Sequence, residues 1–569
     1  MPNSFQDVWL HLNQAPLRPF PANMLPERSG QPFASILQYF TEHTRTKNIN
    51  LRAVDEADSA YLERLGISPA NLIRNLKETL VGRHLDPLGF QLKAVRNKCI
   101  QAYCPFSGKP VVSNQSLLAN INVIFYRFET EHVFYIATAG IGSGFKKSAV
   151  YFPDHDLLVS DGDPWGLQQA DLIELKTRMV SGAKACYDYL SNSDRKSRKS
   201  AVCLGFYHFA HHLWNELSGL HRLHKKGLLP RVDKFLVLRE PLGPIEQIFP
   251  EIQKGKVERQ DSTGDLFDEI LAKGYFVVRV GDDYLASALA SRVAKVSLAN
   301  CLPVTLEMVE EARSKYYPLL WVGIRVRTRA WVDQIEGLSN VIASLHEEFP
   351  RLGVVFDGFS LPSDRSADSS DQQGYSEILA EENEIVNGIF ENFQQRQLSV
   401  GMFNIIGLSI FDANVWAHNI DVYVSPYGSL QHKVGWFTNK PGIVHTNQTL
   451  LENPAAYVWA NVENGIPPQY IESATVTDYE SQAKEGTGYN EIEDATESGA
   501  GVQAMNRRVR ENPEFNNYSI QWEGLHNELS TLIRSSRTKS AMTPLLLANR
   551  IKRTLRMTIR SITNVLSWR

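Results

Sequence analysis

Between Leu408 and His445 the chain reads LSIFDANVWAHNIDVYVSPYGSLQHKVGWFTNKPGIVH, and its apolar spacing switches from helical to strand periodicity and back: helix, strand, turn, second helix, second strand. A strand that passes into a helix through a small-residue turn sets that turn at the mouth of a parallel sheet. Here the apolar run Asp421 to Ser425 ends in Pro426-Tyr427-Gly428-Ser429. A Gly-Ser turn that opens a helix leaves backbone N–H groups without intrahelical partners, aimed above the strand ends, and such a place suits a phosphate.

The same alternation continues upstream. Predicted strands over 319–325, 353–357 and 401–405 are separated by helical patterns over 331–349 and 376–393. A similar series precedes it, with strands predicted over 201–204, 234–238 and 275–280 and helices over 207–225, near Pro244 and over 287–296. Alternation of this kind predicts an α/β protein with two doubly wound parallel-sheet (Rossmann-like) domains in tandem, over 166–315 and 316–475. Ligands of open parallel sheets bind outside the carboxyl ends of the strands, so two such domains facing one another make an interdomain cleft. Ahead of them lies an N-terminal α+β extension: a helical leader over 1–100 and a β-rich segment over 101–165, whose runs NINVIFYRF and HVFYIATAG read as an antiparallel meander. Behind them come an acidic linker over 476–515 and basic amphipathic helices over 516–569.

A length of 569 residues with 43% hydrophobic content allows several packed units. With 59 Lys and Arg against 63 Asp and Glu, the net charge of −4 carries no basic excess of the kind nucleic-acid binding needs. The five cysteines are odd in number and form no CxxC, which argues against a disulfide framework or a cysteine zinc site and fits a reducing, cytoplasmic setting. No secretory leader pattern and no long apolar run is present.

Two groups of side chains carry candidate chemistry. The segment WVGIRVRTR brings Arg325, Arg327 and Arg329 at period two, so an extended chain points all three to one side, where their planar forks match the oxygens of a diphosphate. The alternative is a salt-bridged edge with Asp333, Glu336 and Asp357 as partners. Asp357 ends the next strand at the same rim and is a candidate acceptor of a ribose or sugar hydroxyl. In the first half, FYHFAHHLWNELSGLHRLHKK holds five of the chain's 15 histidines. His208, His212 and Glu216 follow at i, i+4 and i+8 beside His211 and Asn215, and a His bonded to a Glu one turn away makes a general-base pair. Val159-Ser160-Asp161-Gly162-Asp163 offers a rival: an apolar run ending in Asp-x-Asp, which can chelate a divalent ion and a diphosphate but is also a strong turn sequence. Gly140-Ile141-Gly142-Ser143-Gly144 lacks the dinucleotide spacing and reads as a hairpin loop.

The helix with His212, Trp214, Asn215, Glu216 and Leu217, and the later order Ile420-Asp421, strand, Pro426-Tyr427-Gly428-Ser429-Leu430, Trp436-Phe437, Pro441-Gly442, Ile443-Val444, resemble the family 61 glycosyltransferases over roughly residues 200–450. Their turn reads His-Gly-Ala-Gly-Leu-Thr-Asn; here Tyr427 stands for the His, Ser429 for the Ala, and Gln431-His432 for the later polar residues. The resemblance implies a GT-B enzyme that moves a sugar from a nucleotide donor to a polysaccharide or glycoconjugate, with inversion and without a cofactor or metal. It implies that the 166–315 domain takes the acceptor and the 316–475 domain the donor. It also implies that Gly428, Ser429, Leu430 and His432 flank the donor phosphates, and that Glu216 or His212 is the base. His208, His211 and Asn215 are then acceptor-side residues, and Arg325, Arg327, Asp357 and Tyr427 belong to the donor side. The alternatives are a metal-dependent GT-A-type transferase using Asp161 and Asp163, and an inactive GT-B-like glycan-binding or scaffold protein, for which the departures at Tyr427 and Gln431 speak. The segment 534–569 carries nine basic residues, no acid and interleaved leucines and isoleucines, the composition of a helix that lies on an anionic membrane surface. It makes a peripheral position on the inner face of the cell membrane the expected one.

Overall fold

The computed structural model describes residues 5–20, 33–77, 80–81, 84–163, 166–192, 198–363, 372–453, 461–479 and 512–536. The β-rich segment forms a sheet of six strands: β1 (Lys47–Asn50), β2 (Ser116–Asn120), β3 (Val123–Glu129), β4 (Val133–Ala139), β5 (Lys146–Phe152) and β6 (Leu157–Ser160). β2 to β6 pair antiparallel in chain order, as the alternating apolar runs predict, and β1 joins the far edge beside β6 in parallel.

The first parallel sheet contains β7 (Ser200–Leu204), β8 (Lys234–Val237), β9 (Val257–Arg259) and β10 (Phe276–Arg279), in the order β9-β8-β7-β10. The second contains β11 (Leu319–Gly323), β12 (Gly353–Asp357), β13 (Gly401–Asn404), β14 (Val422–Pro426), β15 (Gly442–His445) and β16 (Gln469–Tyr470), in the order β13-β12-β11-β14-β15-β16. Counted from the first strand of each, the orders are 3-2-1-4 and 3-2-1-4-5-6. These are doubly wound sheets whose direction reverses beside the first strand. Their central strands are unbroken apolar runs such as SAVCL and LLWVG, buried along their whole length, because helices cover both faces; the edge strands VER and GMFN are only half-buried. The fold is therefore α/β, a GT-B-like tandem of two Rossmann-like domains with an N-terminal α+β extension.

The helices that matter for the cleft are α1 (Gln169–Ser181), α2 (residues 209–225), α3 (Thr263–Lys273), α4 (Ser287–Asn300), α5 (Pro303–Lys315), α6 (Gln334–Glu348), α7 (Gln372–Gln395), α8 (Ile410–Asn419), α9 (residues 429–437) and α10 (Trp522–Ser536). Local chemistry starts several of them: Ser262 and Ser409 cap α3 and α8 by accepting from the N–H groups of Asp265 and Asp412. The stretch after Cys301 is the helix α5, which begins on Pro303, where the missing N–H is harmless. Its Thr305 hydroxyl bonds the Asp412 carboxylate at 2.7 Å, so the helix that follows the first domain packs on the second.

The N-terminal sheet is tied to the first domain. The Ser116 hydroxyl accepts from the Val277 N–H at 2.8 Å, joining β2 to the edge strand β10. The glycine-rich stretch is the loop between β4 and β5, as expected, and it presses on the end of β10: a Cβ on Gly281 would lie 2.6 Å from the Gly144 carbonyl oxygen. At the other end α10 buries Leu525, Leu529 and Ile533 in the core of the second domain, and Arg534 reaches Glu348 at 2.7 Å. The start of the basic C-terminal segment is thus packed on the body of the protein. Residues 537–569, and most of the acidic linker, lie outside the described residues. Among the described residues no helix is long and apolar enough to cross a membrane.

Candidate functional site

Each domain sends one helix into the cleft, and the two helices share a local irregularity. α2 follows β7 and widens into a π-helical turn over His212–Leu217; α9 follows β14 and does the same over His432–Phe437. π turns are rare and are frequently found at functional sites. The two helices touch through Trp214 and Trp436, edge to face at 4.9 Å, and through Phe209 and Phe437 at 6.3 Å. Above this aromatic contact lies an open cleft between the carboxyl ends of β7, β12 and β14. Tyr207, His208 and Phe209 form its first-domain wall, and Phe359, Ser429 and Leu430 form much of the other; among the described residues no acidic side chain lines it.

On the first-domain side the five expected residues separate into two groups. Glu216 is fully buried, and both of its oxygens are used: Oε1 accepts from the Gly205 N–H at 3.0 Å and pairs with Arg279 at 2.6 Å, while Oε2 accepts from the Phe206 N–H at 3.1 Å and from His212 Nδ1 at 2.8 Å. Burial pushes its carboxyl up, but the Arg279 charge and the bonds from His212 and Gly205 outweigh that and hold it below the usual value. Glu216 and His212 therefore lock the end of β7 to α2. The expected base pair exists as a hydrogen bond, but it is sealed beneath the cleft.

His211 is placed otherwise. It is half-buried, its ring lies 5.3 Å from that of His208, and its Nδ1 sits 2.8 Å from Asn215 Oδ1. Asn215 has no choice of orientation, because its Nδ2 donates to the Asp282 carbonyl at 2.7 Å. Oδ1 must then accept from His211 Nδ1–H, which leaves the lone pair on Nε2. Burial holds the imidazole below its ordinary pKa, so it is neutral near pH 7.

On the second-domain side the turn is as the sequence implies. Gly428 has φ 122° and ψ −150°, a region open essentially to glycine alone, and it caps α9. A Cβ there would sit 3.5 Å from Arg325 Nη1, so the guanidinium lies directly beside the turn. The three arginines do not share a face. β11 ends at Gly323, and Arg327 and Arg329 adopt positive φ values of 70° and 52°, so the period-two rule for extended chain fails from that point. Arg327 turns away and binds Glu381 through two bonds of 2.9 Å. Arg325 and Arg329 stay together, each contributing to the field at His208. Arg325 Nε donates to the Thr328 carbonyl at 2.6 Å, and Arg329 lies over the Phe515 ring at 5.0 Å. No carboxylate pairs with Arg329 among the described residues. Burial and the neighbouring Arg325 charge push its guanidinium down to about 9.

Asp357 is not available to a sugar. It is fully buried, and Lys433 grips both its oxygens at 2.9 Å while also bonding the Gly358 carbonyl and the Ser360 hydroxyl. This pair mirrors Glu216 and Arg279: in each domain a charged residue of the π turn is tied to an opposite charge at the end of another strand of the same sheet. Tyr427, Ser429 and Leu430 lie at the turn, with Tyr427 close enough for its charge state to be influenced by Arg329. His432 stacks on Trp436 with ring centroids 3.4 Å apart, and its buried Nδ1 has no hydrogen-bond partner among the described residues. Burial, then the nearby His208, His211 and Arg329, holds it well below its ordinary pKa.

Asp161 and Asp163 stand elsewhere, at the end of β6, where both bind Lys146, at 2.8 and 2.7 Å, and where Asp161 accepts from the Asp163 N–H. They close a turn over a lysine, and among the described residues no cluster of ligands suited to a metal ion occurs. Sequence reasoning missed Arg279 and the aromatic seam. Arg279 was signalled only as a charge at the end of the apolar run FVVR, and Trp436 by its i+4 spacing from His432.

The sequence matches no protein-family model and no curated protein sequence. Among solved structures, the chain is similar to a family 9 glycosyl transferase from Veillonella parvula (9% identity, covering 60% of this chain and 98% of that one, TM-score 0.30). It is also similar to the ADP-heptose LPS heptosyltransferase II of E. coli (11%, 59% and 99%, 0.30) and to a UDP-N-acetylglucosamine 2-epimerase (11%, 61% and 98%, 0.28).

Proposed function

We propose that the protein is a glycosyltransferase that moves a sugar from a nucleotide-sugar donor to a glycan or glycoconjugate acceptor, with inversion and without a metal ion in the transfer step. The observation that carries this reading is one cleft with two walls that, among the described residues, carry no acidic side chain. His208 lines it from the first domain, with the His211 ring packed behind it, and Ser429, Leu430 and Lys433 of α9 line it from the second, where Arg325 lies beside the Gly428 turn with Arg329 as its neighbour.

An inverting transfer needs a base at the acceptor hydroxyl and a positive environment for the departing diphosphate. His211 serves as the base. Its tautomer is set by Asn215, its neutral form persists near pH 7, and Nε2 can accept the hydroxyl proton as the oxygen attacks the anomeric carbon. Glu216 and His212 support this wall from below. Arg325, Arg329 and the N–H groups at Ser429 and Leu430 stabilise negative charge as the sugar–phosphate bond breaks, an electrostatic contribution that is usually the largest in such reactions. Thermal-shift measurements with UDP, GDP, CMP and dTDP sugars, with and without magnesium, test the reading. One donor should raise the melting temperature without magnesium, and His211→Ala should bind that donor like wild type while losing transfer by about 10²-fold or more. A response only with magnesium, or to no donor, would sink it.

A membrane-side acceptor is supported by the eight basic residues of 537–569, each contributing about 1 kcal/mol near an anionic leaflet. A chain ending at Ser536 should leave vesicles of anionic lipid that the full chain binds; equal binding by both chains would remove the membrane from the proposal.

A further inference from the structure

Three imidazoles and two guanidiniums gather from separate elements beside the cleft, which His208 lines. His208 and His211 come from the start of α2, Arg325 and Arg329 from the loop after β11, and His432 from the first turn of α9. The charged and titratable neighbours on every side are known. Glu216 lies beneath His211 but is held by Arg279; Lys433 beside His432 is held by Asp357; Tyr427, Tyr518 and Glu514 face Arg329. The cluster thus has a surplus of cationic and neutral-base groups, and Glu514, which accepts a hydrogen bond from Asn512, faces it through Arg329.

Two ring nitrogens in this cluster, His208 Nδ1 and His432 Nδ1, are buried and make no hydrogen bond among the described residues. A buried imidazole nitrogen without a partner is costly, and its neutral form persists only while nothing negative shares the space. His432 is the better placed of the two for an anion at the turn: its own N–H bonds the Gly428 carbonyl, and its ring is fixed by stacking on Trp436.

Building on the nucleotide-sugar reading, we infer that a diphosphate entering this cleft takes up about one proton from solvent, held on His432, so that the imidazolium joins Arg325 and Arg329 as a counter-charge. Free, the ring is kept neutral by burial and by the like charges around it. A bound dianion reverses the sign of the local field and favours the charged form. The sign of the linkage follows. A group whose pKa rises on binding tightens the complex below its bound value, and the gain is lost as pH rises through that value, approaching a tenfold loss of affinity per pH unit. Release of the diphosphate then returns the proton to solvent.

Isothermal titration with UDP, GDP, ADP and inorganic pyrophosphate, at pH 7.5 in buffers of different ionisation enthalpy, reads the proton count directly. The full-length wild type should take up close to one more proton than His432→Gln, and Kd should weaken with rising pH in the wild type more than in the variant. The probe's own titration is common to both proteins and cancels. Binding with equal proton counts in wild type and variant overturns the inference while leaving the transferase reading standing. Binding to none of the four probes overturns both.

Discussion

Glu216→Ala is expected to destabilise the fold by about 3–5 kcal/mol, the loss typical of removing one partner from a buried ion pair. Arg279, itself fully buried, would be left with its charge unmatched, and the Gly205 and Phe206 N–H groups and His212 Nδ1 would lose their acceptor together. Chemical unfolding monitored by circular dichroism measures the loss. The pH dependence identifies its origin. Because the folded carboxyl sits below its unfolded value of about 4.3, its contribution is present above that pH and lost as pH falls through the folded value. Glu216→Ala should therefore flatten the acid limb of the stability profile. Replacing both partners, with Glu216→Leu and Arg279→Met together, should recover part of the loss, since an apolar pair leaves no uncompensated charge. A Glu216→Ala protein as stable as wild type, yet unable to transfer sugar, would restore this carboxylate to the role of catalytic base.

That revision shows where sequence reasoning ran out. The periodicity of 200–225 gave a helix with one polar flank, and His212 bonded to Glu216 one turn on is what the structure contains. Spacing cannot say which of two adjacent polar rows faces a cavity. Around the π turn over His212–Leu217 only His208 of these polar residues reaches the cleft, while Glu216 turns to Arg279, a residue 63 positions later that only the tertiary fold brings near. The tandem of parallel sheets was legible because buried parallel strands are continuous apolar runs and their connections are long amphipathic helices. The turn at Gly428 was legible because only glycine suits its dihedral angles. Asp357 was read as a rim carboxylate, correct for its place at the end of β12, but its partner Lys433 is supplied by the other π turn. The short strand β9 and helix α5 escaped notice because a three-residue strand and a helix starting on proline both resemble connections.

The arginines offer the sharper test, because the structure divides three residues that the sequence treats alike. Arg325→Ala is expected to weaken binding of the nucleoside diphosphate by about 10- to 150-fold, corresponding to about 1.5–3 kcal/mol for a charge-assisted bond shielded from water. Arg329→Ala should act similarly. The double variant should lose less than the sum, since both guanidiniums serve one anion and neighbouring substitutions are not independent. Arg327→Ala should change affinity by no more than about twofold, because its fork is committed to Glu381 on a half-exposed rim and such pairs contribute little. Calorimetric Kd values for the four proteins decide the matter, with melting temperatures alongside, since Arg325 also braces its loop through the Thr328 carbonyl. An Arg325→Lys variant that keeps the fold but not the affinity would separate the two roles, as a point charge cannot reproduce the fork. Equal losses at 325 and 327 would mean that the anion sits along an extended edge rather than beside Gly428, and the cleft described here would then not be the donor site.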